Sequence, residues 1–111
     1  MFEIDEKTNQ IRLVRGDTLV TDVAIATVSD DTYVPDPNDK LFFAMKKNIG
    51  DAYPVLVKQI PTDSLVLKLD PADTKQLPFG TYVYDIEIQL ADGYVDTIVN
   101  AAKFILEKEV Y

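Results

Sequence analysis

Between Thr81 and Leu90 the even positions Tyr82, Tyr84, Ile86, Ile88 and Leu90 are apolar or aromatic. The odd positions Thr81, Val83, Asp85, Glu87 and Gln89 are mostly polar. Successive side chains of an extended strand leave opposite faces, so this period of two predicts a long strand over 81–90 with one buried face. Asp92-Gly93 follows, a pair that tolerates positive φ, and residues 94–99 resume β-rich sequence. The two runs read as a hairpin.

The rest of the chain follows the same logic. Residues 10–14 place Ile11 and Leu13 on one face, and Gly16-Asp17 breaks the run. Residues 18–27 carry Leu19, Val23 and Ile25 in phase, and 41–47 carry Leu41, Phe43 and Met45. Further short strands are expected over 55–60 and 64–69, the second with Leu65, Leu67 and Leu69 in phase. Residues 29–39 hold two prolines and four aspartates, which no central strand sustains, so a loop is expected there. Asp70-Pro71 suits a helix start, because Pro lacks the amide that would be unpaired at that position; a short helical turn is expected at 71–76. Residues 103–107 form the last strand, with a bulge or kink at Asn100-Ala101-Ala102. Seven to eight short strands with one helical turn predict a single all-β domain over 1–111, an antiparallel β-sandwich. A small closed barrel is the competing architecture.

Composition narrows function. The formal charge of −8 repels phosphate backbones and anionic headgroups, so neither nucleic acid nor a membrane surface is an expected partner. Met1 to Glu6 has no basic or apolar leader character, and no apolar run reaches the roughly 20 residues of a membrane helix. Histidine and cysteine are both absent, which removes the commonest general base, the commonest metal ligand and any thiolate chemistry. No glycine pattern cradles a phosphate, and Ser29 and Ser64 lack the context of a nucleophile. No enzymatic activity, cofactor or metal is expected.

Carboxylates and tyrosines remain as candidates. Asp85 and Glu87 share a strand face, and Asp96 is expected to face them across the hairpin; the plain reading is a solvated outer face, the chemical one an acid–base pair. Asp30, Asp31, Asp36 and Asp39 offer oxygen ligands to Ca²⁺ but lack the spacing and glycine of a calcium loop, which favours a solvated loop. With Tyr33 they form a candidate binding loop for a carbohydrate or cell surface. Tyr53 and Tyr94 fall near turns and are further contact candidates. Arg15-Gly16-Asp17 spells an adhesion tripeptide, yet its place between two strands favours a turn. Tyr82 and Tyr84 fall on the inward face, where core packing with a tethered hydroxyl is expected.

The run from Asp70 through Leu77-Pro78-Phe79-Gly80-Thr81-Tyr82-Val83-Tyr84-Asp85-Ile86 resembles small tail and baseplate modules of bacteriophages and prophages, in particular the N-terminal domain of phage baseplate upper proteins. Asp92-Gly93, the run from Val95 to Ile98, the closing Phe104-Ile105-Leu106 and the opening from Ile11 to Thr18 are similar to the same family. The chain departs from it in ending soon after the domain and in its acidic, glycine-free loop. The same segment looks like the corner of immunoglobulin-type sandwiches, with Tyr82 as the corner tyrosine, Gly80 beside it and Tyr84 at the place of the usual cysteine. The resemblance implies an Ig-like fold and a non-catalytic structural module of a virion, made in the host cytoplasm. Its implied partners are other tail or baseplate proteins, or copies of itself. A carbohydrate- or cell-surface-binding sandwich is the alternative.

Overall fold

The computed structural model describes residues 2–5, 7–25 and 33–110. Its strands are β1 (Glu3–Ile4), β2 (Ile11–Val14), β3 (Leu19–Asp22), β4 (Lys40–Lys46), β5 (Leu56–Ile60), β6 (Val66–Leu69), β7 (Gly80–Gln89) and β8 (Val95–Glu107), with one helical turn, α1 (Pro71–Lys75), between β6 and β7. Six strands make one curled sheet in the order β1-β2-β8-β7-β4-β5, and β3 and β6 pair as a second, two-stranded sheet. All-β character is therefore plain. The alternation in β7 does what its period demands: Tyr82, Tyr84, Ile86 and Ile88 are buried, while Thr81 and Asp85 are exposed.

The core lies between the two sheets. Leu41, Phe43 and Met45 of β4, Leu19 of β3, Leu67 and Leu69 of β6, and Phe104 and Leu106 of β8 are almost wholly excluded from water. Each such side chain contributes roughly 1.5–3 kcal/mol of burial free energy. Phe43, Tyr84 and Phe104 form an aromatic cluster with centroids 5.2, 6.2 and 6.2 Å apart, in tilted and edge-on arrangements that suit the ring quadrupoles. Asp70 caps α1 in an extended conformation, its amide donating to the Asp73 carboxylate at 2.7 Å. The buried Thr74 of α1 accepts a hydrogen bond from the Gly16 amide at 2.9 Å, which ties the helical turn to the β2–β3 turn. The same turn occupies Arg15, whose guanidinium donates to Glu109 at 2.6 and 3.0 Å and to the Leu77 carbonyl at 3.0 Å.

Several expectations need correction. The main sheet is not wholly antiparallel, because β2 runs parallel to β8, with Ile11 opposite Phe104 and Leu13 opposite Leu106. The short β1, paired antiparallel with β2, adds to the expected strands. Of the runs expected over 94–99 and 103–107, residues 95–99 and 103–107 are parts of one continuous β8, and the irregularity near Asn100 is a register shift against β7 with Ala101 at a φ of 52°. An extra residue there lets one long strand bend without ending. Leu65 does not belong to β6: its φ of 53° and its bond from its amide to the Pro61 carbonyl at 2.9 Å make it part of the turn out of β5. The strand expected over 18–27 is regular only to Asp22, and residues 26–27 lie outside the described residues.

Candidate functional site

At the corner between α1 and β7, the Tyr82 hydroxyl donates to the Pro78 carbonyl at 2.6 Å, four residues upstream. The Lys47 ammonium sits 4.7 Å from the Tyr82 ring centroid and donates to the Thr81 carbonyl at 3.0 Å. Gly80 has a φ of 150°, a backbone that residues with a side chain rarely adopt, and this explains the glycine; a methyl group there would also lie 2.9 Å from Lys47 Nζ, at the movable end of that side chain. The Tyr84 hydroxyl donates to the Asn9 carbonyl. Burial raises both phenols, that of Tyr84 to about 12. Their hydroxyls are thus satisfied within the chain, and Tyr82, Tyr84 and Gly80 serve packing at this corner.

The acidic loop is divided by its geometry. Asp30 and Asp31 lie outside the described residues. Asp39 is buried, and its Oδ2 accepts from the Tyr33 hydroxyl at 2.8 Å and the Asp36 amide at 2.9 Å, while its Oδ1 accepts from the Ala91 amide at 3.0 Å. Burial opposes its ionisation, but these three donors outweigh that effect and hold the carboxyl below its ordinary value. The same bond to Asp39, with burial, raises the Tyr33 phenol. Asp39 and Tyr33 therefore latch the loop to the end of the β7–β8 hairpin. Asp36 is exposed and its side chain accepts from the Asn38 amide at 2.9 Å. Among the described residues no group of three or more acidic side chains gathers closely enough to hold a metal ion.

The expected trio of Asp85, Glu87 and Asp96 does not assemble. Asp96 stands opposite Ile88, whose side chain points into the core, whereas Asp85 and Glu87 point to the outer face of β7. The register through the hairpin turn, with Gln89 opposite Val95, sets Asp96 on the side of Ile88 and not on that of Asp85 and Glu87. Asp85 instead accepts from the Ala101 amide at 2.5 Å, which steadies the irregular turn of β8, and Glu87 accepts from Gln89 at 3.0 Å.

What the structure brings together lies elsewhere. β2 pairs with β8 only from Phe104 to Glu107, because the chain turns away at Asn9, whose φ is 61°. Alongside Val95 to Asn100, the edge of β8 that faces away from β7 has no strand partner among the described residues. Two open grooves of about 500 and 610 Å³ flank this edge, and both are lined by Asn9, Ala24 and Val99. Tyr84, Ile86, Ile88 and Leu90 add an apolar floor. The sequence holds one sign of this site: Val95, Thr97, Ile98 and Val99 are β-branched, and neither proline nor lysine interrupts residues 95–102. Comparison with protein-family models, curated proteins and solved structures finds no match for the chain.

Proposed function

We propose that this chain is a non-catalytic, Ig-like assembly module, of the phage or prophage tail type that its sequence resembles, working through protein–protein contacts. The observation that carries the assembly reading is the unpaired edge of β8 beside an apolar groove. Backbone amides and carbonyls of a sheet edge are templates for another chain, and proteins that must stay monomeric blunt such edges with proline, lysine or a covering loop. The opposite edge of the sheet is treated that way: Pro54 and Pro61 flank β5, and Lys58 on it pairs with Asp73 at 3.0 Å. The exposed part of β8 carries neither proline nor lysine, and no strand among the described residues pairs with it.

The Ig-like part of the reading is supported by the strand order, with β2-β8-β7-β4-β5 facing β3-β6, and by the corner at Tyr82. In immunoglobulin-type corners a tyrosine two residues before a core position bonds back to the backbone just upstream, as Tyr82 does to Pro78 with Tyr84 following in the core. The carbohydrate reading loses support where the loop is described, because Tyr33 and Asp39 satisfy each other.

The test is co-expression of the tagged chain with the proteins encoded beside its gene. The reading expects a stoichiometric complex, with tail or baseplate genes among those neighbours. A chain that stays alone, in a gene neighbourhood without tail, capsid or lysis genes, would overturn it.

A further inference from the structure

We infer that the β8 edge takes one extended, cationic segment of a partner protein, added as a strand beside Val95 to Asn100 with its alternate apolar side chains turned into the two grooves. This deepens the assembly reading and rests on it. The place for such a strand lies in line with β2, whose pairing with β8 begins only at Ile11 and Phe104 because the chain departs at Asn9. A strand added there would satisfy the outward main-chain groups of β8, while pockets for alternate side chains would select its sequence.

The side-chain chemistry of the grooves fixes the kind of segment. Inward-facing residues of the added strand would meet Ile86, Ile88 and Val99 from the main sheet and Ala24 and Ile25 from the segment after β3, all aliphatic. Among the described residues the charged groups lining the two grooves are Asp96 in one and Asp22 in the other, and neither groove is lined by lysine or arginine. Both carboxylates are exposed at the rim, on a chain whose formal charge is −8. An acidic segment would meet like charge on approach and at the rim, and an alternation of aliphatic residues with lysine or arginine would meet opposite charge. A second copy of this chain is disfavoured as the occupant by the same repulsion.

A short peptide of alternating valine and lysine is the probe, titrated into the purified chain at low salt and followed by amide chemical shifts. Saturable binding is expected, with shifts concentrated at residues 95–100 and at Ala24 and Ile25. The valine–glutamate counterpart should bind at least about tenfold more weakly. A valine–lysine peptide N-methylated throughout, which keeps its side chains and loses its amide donors, should lose binding. The double variant Asp22→Lys with Asp96→Lys, checked for folding by circular dichroism, should reverse the preference between the two charged peptides. Equal binding of the two charged peptides, binding that survives N-methylation, shifts confined to other surfaces, or no shifts at all would each overturn the proposal. So would shifts at 95–100 that grow with protein concentration alone, which would assign the edge to a second copy. A chain that forms complexes with neighbouring gene products yet ignores the peptide would reject this edge and leave the assembly reading standing.

Discussion

The β7–β8 ribbon passes through two different surroundings. In its corner half, Tyr82 and Tyr84 of β7 and Phe104 and Leu106 of β8 are buried, β2 closes the outer edge of β8, and the Tyr82 and Tyr84 hydroxyls are bonded to Pro78 and Asn9. In its hairpin half, Ile86 and Ile88 still face inward, but Val95, Asp96 and Thr97 are exposed and the edge of β8 beside them is open among the described residues. The turn at the tip uses Gly93 at a φ of 94° and is held to the acidic loop by Asp39. The same pair of strands is thus finished at one end and unfinished at the other. Stability is concentrated where burial and pairing are both complete, which leaves the other end free to exchange its partners.

Substitutions should separate the two halves, and the largest effect belongs to the aromatic cluster. Phe104→Ala should lower the unfolding free energy in urea by about 3–5 kcal/mol, because it removes a fully buried ring and leaves a cavity. Next comes alkaline pH. The Tyr84 phenol is raised from 10.0 to about 12 by burial, so the folded chain keeps a proton that the unfolded chain gives up. Its contribution is complete below pH 10 and is lost as pH rises to about 12, a fall of about 2–3 kcal/mol that Tyr84→Phe should abolish. Tyr82→Phe removes the bond to Pro78 and keeps the ring; a loss of about 1 kcal/mol in urea unfolding is expected.

The hairpin half should respond weakly or locally. Asp39 is held below its ordinary value, so its contribution is present above pH 3.8 and is lost as pH falls through the lower folded value. Asp39→Asn should speed exchange of the Ala91 amide while leaving the amides of the aromatic cluster unchanged. Val95→Ala, at an exposed position of β8, should change the unfolding free energy by no more than about 0.5 kcal/mol. A loss at Val95 comparable to that at Phe104 would erase the contrast between the halves.

Much of the ribbon and its corner was legible in the sequence. Period-two alternation placed β7 and its buried face, Asp92-Gly93 placed the turn, and Asp70-Pro71 placed α1, because each signal is local. The parallel pairing of β2 with β8 left no such trace: Ile11 and Phe104 meet from opposite ends of the chain. Leu65 read as one more in-phase leucine, since its left-handed backbone is imposed by the turn and not by its residue type. The acidic loop looked uniform for a similar reason. Asp36 and Asp39 are alike in sequence, and only the positions of Tyr33 and Ala91 distinguish Asp39 as the buried acceptor of the two. The open groove was hidden because an unpaired edge depends on where another strand stops. The β-branched run 95–99 was visible, but the turn at Asn9 that leaves it without a strand partner among the described residues was not.

Native-state amide hydrogen exchange, read residue by residue along β8, tests the contrast most directly. The account predicts that hydrogen-bonded amides from Phe104 to Glu107 exchange only through global unfolding, while those of residues 95–100 that point away from β7 exchange almost freely. Equal strong protection at both ends of β8 in the isolated chain would contradict it.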